Sequence, residues 1–524
     1  MSVEWIGANR IGADGRGPRE RQHTFVALGA LLLVAAALAL PAALGPVRLN
    51  DSFWIDVVWL EQFAQELGRG TIYPRWLPLS HGGLGSPVFY YYPPLAFYLA
   101  SGFALAGLST FSALIAAFAA ASLLSGVSVY FWLRPQSRAA LPAALLFMVA
   151  PYQLFNFYQR GAIAEFLATA VVPLVLIGIR RMLEERRGGA ALAALAYAAL
   201  VMSHLPLALL ASLFLFAPYV VVKSWKSPLS ALRIGAALAL GLGASAIYLV
   251  PALALEPYRS SADLWTLHYL QPATWNLWSV EAWSDQTYRA VLLVSAALAV
   301  PSVGLVIRER SPWAVWAALC LAIGVGILPI IWEFPLLRFV QFPFRLLPIA
   351  EIAFVTAAAL GARNRVPWLM IWASFLLMAA FIIAAKPESA NFGDRVMREV
   401  HPDVPENLPP GKRPYSWPSK WALDIAAQHR SAQFDGRITR DPVFYFPSWE
   451  VHCGARKVST FPDPGTELLA YEGRGCTRKL VATTPERVGA FVSLAALFLL
   501  SLSLFPWSPG QRRSRRHETR LRNT

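Results

Sequence analysis

Charge is what this sequence has least of. Asp, Glu, Lys and Arg make up 15% of its 524 residues, where a soluble globular chain carries about 25%. The ordinary hydrated surface of a soluble enzyme is therefore excluded. The shortage falls on the acids, 31 against 46 basic residues, and leaves a net charge of +15. Cysteine is almost missing. There are three, none in a CxxC pair, so the spacing of a thiolate zinc site is absent. The eight histidines are scattered without ligand spacing, and no solenoid-type repeat runs through the chain.

What the chain has instead is apolar length. It is 56% hydrophobic with 19 Trp and a mean hydropathy of +0.46, as expected of a membrane protein with aromatic interfacial belts. At about 20 apolar residues per crossing, candidate spans fall at 26–45, 93–109, 111–133, 139–156, 162–179, 189–203, 205–222, 231–254, 288–307, 312–331, 346–362, 366–385 and 487–506. The positive charge does not point to nucleic acid. About half of it sits in short clusters flanking these runs, such as Arg180, Arg181, Arg186 and Arg187, or Arg512, Arg513, Arg515 and Arg516. That is the positive-inside pattern. The run at 26–45 reads as a retained signal anchor. Basic termini at 1–25 and 507–524, both inside, require an even number of crossings. One segment is thus not a full span, and the crowded stretch 93–133 is expected to hold a re-entrant or tilted piece.

On this topology the outer face collects 46–92, 157–161, the turn at His204, 255–287, 332–345 and 386–486. The unusual polar residues gather there, so any chemistry is expected outside. Residues 386–486 form the one soluble-looking piece, β-rich from about 440. The runs "PVFYFPSWEVHC", "KVSTF", "TELLAYEG" and "CTRKLVA" read as strands between turn residues. Cys453 and Cys476 both fall in it, and an oxidising exterior predicts a disulfide. Cys320 reads as a small apolar filler inside a span.

Five outer motifs carry candidate chemistry. In "LNDSFWIDVVWLEQFAQELG", Asn50, Asp51 or Ser52 caps a helix with an apolar stripe at Phe53, Val57, Leu60, Ala64 and Leu67. Asp51 is alternatively a general base at the lipid–water interface; Asp56 and Glu61 rank lower. In "YPRWLPLSHGGLGSPVFYYYPP", Gly82, Gly83 and Gly85 with Pro78 and Pro87 specify a shaped loop. It bears Arg75, His81, Tyr90, Tyr91 and Tyr92, which read either as a belt or as a surface for sugars and phosphates. In "YQRGAIAE", Arg160 and Glu165 form either a structural pair or a functional one. His204 sits at a tight turn, as a hydrogen-bonded structural residue or a proton-transfer group. In "RFVQFPFRLLPIAE", Arg338, Gln341 and Arg345 lie outside with Glu351 deeper. Two cations against the positive-inside trend call for an anionic partner such as a lipid phosphate.

Asp51, "YPRW" at 73–76, "GGLGSPVFYYYPPL" at 82–95, "YQRGAIAE" at 158–165, "SHLPLAL" at 203–209, "YLVPALAL" at 248–255 and "QFPFRLL" at 341–347 together resemble the bacterial 6-pyruvoyl-tetrahydropterin synthase-related multispan membrane proteins. That family is similar to YfhO-type proteins and to the GT-C fold of polyprenyl-phosphate-dependent glycosyltransferases. The ending "YFPSWEVHCGARKV…TTPERVGAFVSLAAL" resembles the YfhO-type ending. The pterin chemistry in the family label uses a zinc site built from histidines, which this chain lacks. The resemblance implies an all-α polytopic membrane protein, GT-C-like, of about 12–13 transmembrane segments, with a small extracytoplasmic β-domain before the last span. It implies a GT-C-like transmembrane domain over 26–385 in the bacterial inner membrane, with a periplasmic active face. The implied activity is transfer of a sugar from a polyprenyl-phosphate donor to a glycan, lipid or protein acceptor. Asp51 would be the base, Arg345, Arg160 and Arg75 would hold the donor phosphate, and Tyr90–Tyr92, His81, Glu165 and His204 would line the substrate. A His expected about one turn after this Asp is absent; the residues there are Trp54, Ile55 and Asp56. A divalent cation is left open. The alternative is a non-enzymatic transporter or assembly protein for lipid-linked glycans on the same scaffold.

Overall fold

The computed structural model describes residues 18–44, 52–261, 264, 267–309, 311–361, 400–411 and 419–504, with 372, 375, 376, 379 and 380 between them. Asp51 and most of the expected span 366–385 lie outside the described residues.

Long apolar runs can satisfy their backbone in lipid only as helices, and helices are what form. Among the described residues eight are long and apolar enough to cross a membrane: Glu20–Leu44, Thr110–Leu133, Ala140–Arg160, Ile163–Leu183, Leu205–Ser224, Gln286–Arg308, Pro343–Gly361 and Thr484–Leu502. Shorter apolar helices cover Leu95–Leu105, Gly189–Ser203 and Pro312–Gly324. Each falls on an expected segment. The crowded region holds one long helix and one of 11 residues, Leu95–Leu105. At 1.5 Å per residue the latter reaches about 16 Å, half the hydrocarbon thickness. Ile163–Leu183 lies at the centre of the bundle, packed against Thr110–Leu133 and Gly189–Ser203.

Two expected spans differ. The run 231–254 is broken into Pro228–Ala244 and Ala246–Ala254, bent by 68°. The break is stable because its freed backbone groups find partners. The Ile247 N–H donates to Ser493 Oγ at 2.7 Å, and the Ile247 carbonyl accepts from Arg75 Nη2 at 2.7 Å. The last helix lies tight against it; a Cβ on Gly489 would sit 2.5 Å from the Ala246 carbonyl oxygen. The run 312–331 is helical only to Gly324. Gly326 then turns at φ +75° against Trp275, whose carbonyl oxygen leaves 2.4 Å for a Cβ.

The β-domain before the last helix has seven short strands: β1 Gln433–Asp435, β2 Ile438–Phe444, β3 Trp449–Cys453, β4 Arg456–Val458, β5 Thr460–Pro462, β6 Leu468–Glu472 and β7 Thr477–Leu480. They form antiparallel sheets of order β1-β2-β6-β5 and β4-β3-β7. Two runs expected as single strands each divide between sheets, "PVFYFPSWEVHC" between β2 and β3 and "KVSTF" between β4 and β5. The apolar side chains of both sheets meet in one core with Trp76, Leu84 and Tyr90 of the segment between the helices Ser52–Gly68 and Leu95–Leu105. Trp76 packs 5.9 Å from Phe446 and 5.4 Å from Trp449, centre to centre. The Phe444 N–H donates to the Leu84 carbonyl at 2.8 Å. The expected loop of glycines is shaped for this packing. Gly85 has φ +80°, and a Cβ there would lie 2.5 Å from the Trp76 ring.

Cys453 and Cys476 form the expected disulfide, with Cα atoms 4.2 Å apart. Gly473 lies over it; a Cβ there would be 2.7 Å and 2.9 Å from the two sulfurs. Closing a loop of this length stabilises a folded domain by about 3 kcal/mol in the chain-entropy model. Cys453→Ser is therefore expected to lower β-domain stability by about that amount, read as an earlier urea unfolding midpoint of the tryptophan fluorescence. An unchanged midpoint would contradict it.

Candidate functional site

A carboxylate at membrane depth is costly unless charge and hydrogen bonds surround it. Glu165, in the first turn of Ile163–Leu183, is 1% exposed and has both. The preceding helix ends in a π turn, Asn156–Arg160, followed by Gly161 at φ 63°. This wider turn and reversal bring Arg160 back over the helix that follows; π turns of this kind concentrate at functional sites. Arg160 Nη1 lies 2.8 Å from Glu165 Oε2 and 3.1 Å from the Tyr152 hydroxyl. That hydroxyl donates to Glu165 Oε1 at 2.8 Å.

Arg345 reaches the same carboxylate from the Pro343–Leu346 turn, with Nε 3.5 Å from Glu165 Oε2. Its Nη1 is fixed by the Val340 carbonyl at 2.6 Å and Gln341 Oε1 at 3.1 Å. Nε is buried and makes no hydrogen bond among the described residues. His204 caps the helix Leu205–Ala211, its Nδ1 accepting from the Leu207 N–H at 3.2 Å. The neutral ring therefore carries its proton on Nε2, 3.9 Å from Glu165 Oε2. Two guanidinium groups against one carboxylate leave the cluster one positive charge in excess.

A cavity of about 430 Å³ opens beside it. Arg160 and Arg345 line it with Asp285, Phe342 and Phe344, and Ser52 and Ile55 close it from the helix Ser52–Gly68. An aromatic-walled space lined by two guanidinium groups, one with an N–H that makes no hydrogen bond among the described residues, can take a phosphate, against the opposing Asp285 carboxyl of the same lining. Asp56 stands one helical turn beyond Ser52. It is 1% exposed, and neither oxygen has a hydrogen bond of normal geometry among the described residues. Burial holds its carboxyl well above the ordinary range, with the Ile163 amide opposing.

The structure gathers Arg160, Glu165, His204 and Arg345 at one place; Tyr92 packs edge-on against Trp59 of the helix Ser52–Gly68, 4.9 Å away. Other expected site residues lie elsewhere. Arg75 pairs with Glu486 of the last helix at 3.0 Å and stacks on Tyr73 at 3.8 Å. Tyr90 packs on Phe446 of the β-domain at 4.6 Å, and the Tyr91 hydroxyl donates to the Leu255 carbonyl at 2.6 Å. These groups serve packing between the outer loop, the β-domain and the last helix, so the expected placement of Arg75, Tyr90 and Tyr91 on one cavity with Arg345 is corrected. Arg338 is exposed and lies over Phe339. Glu351 accepts from the Tyr152 N–H at 2.7 Å. His81 is buried 4.0 Å from Asp403, whose other oxygen accepts from Trp59 Nε1 at 3.0 Å. Sequence reasoning missed Tyr152 and passed over Asp56. The signal for Tyr152 was its place eight residues before Arg160 in one motif. Among the described residues no three His, Cys, Asp or Glu are grouped to hold a metal ion.

The family model of the 6-pyruvoyl-tetrahydropterin synthase related domain, a membrane protein, matches residues 89–391. No curated protein matches the sequence significantly. Among solved structures, arabinofuranosyltransferase AftD from Mycobacteria superposes over 70% of this chain with a TM-score of 0.41 and 17% identity. This chain spans 27% of its length. ArnT from Cupriavidus metallidurans bound to undecaprenyl phosphate superposes over 78% of this chain and 70% of its own, with a TM-score of 0.44 and 12% identity.

Removing one partner of a buried charge cluster costs about 3–5 kcal/mol. Glu165→Gln, which keeps the shape but leaves both guanidinium groups uncompensated, is expected to lower the thermal unfolding temperature in detergent far more than Glu472→Gln at an exposed pair of the β-domain. Equal temperatures would contradict the cluster's role. Burial lowers the pKa of His81, with Asp403 opposing. Below the unfolded value of about 6.5 the unfolded chain gains a proton that the native chain does not, so stability falls with pH until His81 itself protonates. His81→Gln should flatten that part of the stability–pH curve.

Proposed function

This chain belongs to the 6-pyruvoyl-tetrahydropterin synthase related family of membrane proteins, and from the site it carries we propose a membrane glycosyltransferase. It moves a sugar from a polyprenyl-phosphate donor to an acceptor hydroxyl at the outer face of the bacterial inner membrane. The observation that carries the reading is the cavity lined by two arginines, Arg160 and Arg345, with Arg345 Nε held by Glu165 only at 3.5 Å and making no hydrogen bond among the described residues, although the Asp285 carboxyl lines the same cavity.

In this reading the donor phosphate lies between the two guanidinium groups. As the bond from the sugar carbon to the phosphate oxygen breaks, charge grows on that oxygen. Fixed cations in a water-poor site stabilise it without rearrangement. Glu165 keeps both arginines aimed. Asp51 takes the proton of the acceptor hydroxyl as general base. Support for that role is its place in the chain: the next residue, Ser52, lines the cavity. Tyr92 and His204 bound the sugar. Arg75, Tyr90 and Tyr91 hold the outer loop that begins the cavity wall.

Purified protein given a labelled polyprenyl-phosphate sugar and a pool of envelope acceptors is expected to consume the donor. Arg345→Gln should lower kcat/KM by about 10²–10³, the cost of one lost transition-state donor. Asp51→Asn should lower it by about 10²–10⁴ while leaving donor binding intact. Donor that is bound but never consumed would favour the transporter reading, and normal transfer by Asp51→Asn would remove that residue from catalysis.

A further inference from the structure

Asp285 lines the cavity with the two arginines, and the proposed reaction does not use it. A carboxylate facing a bound phosphate would repel it, so its presence calls for a second kind of ligand group. Part of its role is structural. Asp285 precedes the helix Gln286–Glu309, and its Oδ1 caps that helix by accepting from the Tyr288 N–H at 2.9 Å. A cap needs one oxygen. The other makes no hydrogen bond or ion pair among the described residues, and the side chain is half-buried. The carboxylate is also held firmly. Tyr288 is fully buried, donates its hydroxyl to the Val325 carbonyl at 2.8 Å and packs 5.9 Å from Trp275. Trp275 continues into an aromatic floor. Its ring lies 5.7 Å from Phe342 and 6.3 Å from Phe344, centre to centre, and all three line the cavity. The phenylalanine rings carry the cations: Arg345 lies 5.0 Å over Phe342, and Arg160 lies 5.4 Å over Phe344. Contacts thus run from Asp285 through Tyr288 and Trp275 to the two phenylalanines and their arginines. Asp285 itself pairs with neither arginine.

An aromatic face beside a carboxylate and a hydroxyl suits a sugar. The C–H face of the ring lies on the aromatic surface, and the ring hydroxyls donate to the carboxylate in strong, charge-assisted hydrogen bonds. Thr287, in the same lining, supplies the hydroxyl. We propose that Asp285, Thr287 and Trp275 form the sugar subsite of this cavity, with the Asp285 oxygen left over from the cap accepting from hydroxyls of the glycosyl group. This deepens the glycosyltransferase reading and rests on it. The glycosyl group is bonded to the phosphate, so a phosphate on the arginines places the sugar in the same space of about 430 Å³. The lining also selects the ring by charge. The two guanidinium groups disfavour a cationic sugar and Asp285 disfavours an acidic one, so the subsite takes a neutral sugar with free hydroxyls. A ligand without those hydroxyls leaves the carboxylate unpartnered, and the site rejects it on that ground.

The test measures binding of detergent-soluble prenyl phosphodiesters to the full-length protein. One set joins the prenyl phosphate to glucose, mannose, galactose or arabinose; the reference is prenyl methyl phosphate. All carry the same single charge and the same lipid, so a difference in affinity reports the sugar. The wild type is expected to bind at least one of the glycosyl esters about 10- to 10²-fold more tightly than the methyl ester, the range for hydrogen bonds to a charged group. Asp285→Asn and Asp285→Ser both keep a helix cap and remove the carboxylate. In each, the preferred glycosyl ester should bind about tenfold more weakly, while the methyl ester binds as tightly as before or more tightly, because an opposing charge has gone. Weakening of both esters alike, tightening of both alike or no change in either overturns the proposal, and so does a wild type that prefers none of these sugars. Esters of glucuronic acid and glucosamine test the charge: if either outbinds every neutral ester, the assignment of a neutral ring falls. Arg345→Gln separates the subsite from the phosphate site. If it weakens both esters while the Asp285 variants do not discriminate between them, the sugar subsite alone is wrong. If it weakens neither, the phosphate site is wrong and the subsite falls with it.

Discussion

The carboxylate of Glu165 is the constraint on which the half of the bundle around the cavity depends. Two guanidinium groups, an imidazole and a phenol converge on it within 2.8–3.9 Å. They arrive from separate elements: the π turn before Gly161, the Pro343–Leu346 turn, the cap at His204 and the short helix bearing Tyr152. None of these irregular turns could stand in hydrocarbon by itself. Around a buried anion, each brings a donor that the anion needs, and the anion removes the cost of holding two arginines at that depth. A packed cluster of this kind is also rigid, which is what a phosphate site has to be.

A second set of contacts holds the wall facing the cluster. The helix Ser52–Gly68 contributes Ser52 and Ile55 to the cavity; the loop that follows is clamped at two points and the helix itself at a third. Arg75 ties it to Glu486 and to the broken helix at Ile247. Trp76 is buried between Phe446 and Trp449 of the β-domain. Asp403 receives Trp59 from the helix itself and the Val404 N–H, at 2.7 Å, from its own segment; Val404 also lines the cavity. The β-domain and last span are thus coupled physically to the cavity although they contribute no side chain to it among the lining residues. Loss of the Arg75–Glu486 pair would loosen the loop at the point where the broken helix needs its carbonyl capped.

Much of this was legible in the sequence, and the reasons are specific. Apolar run length located the helices, because lipid leaves the backbone few alternatives. The five-residue spacing of Arg160 and Glu165 and the contrary charge of Arg345 marked a buried ionic centre. Cys453 and Cys476 marked the disulfide. What stayed hidden depends on tertiary contacts. Arg75, Tyr90 and Tyr91 have the composition of a sugar site, yet their partners, Glu486, Phe446 and Leu255, lie more than 150 residues away in the chain. Asp56 ranked low because it and Glu61, five residues apart, are offset around the helix and do not pair, and its burial at 1% exposure is a tertiary outcome. The break at Ser245 depends on Ser493 and Arg75, which no local pattern announces. Strand runs interrupted by a single proline or serine gave no sign that they change sheets.

The central claim is that the cavity beside Glu165 is a phosphate site for a lipid-borne donor. A density map of the full chain in lipid nanodiscs with added polyprenyl phosphate tests it most directly. The account predicts phosphate density between Arg160 and Arg345, within hydrogen-bond distance of Arg345 Nε, with Glu165 still holding Arg160. Phosphate density at an exposed cation such as Arg338, with the cavity between the two buried arginines unfilled, would contradict it.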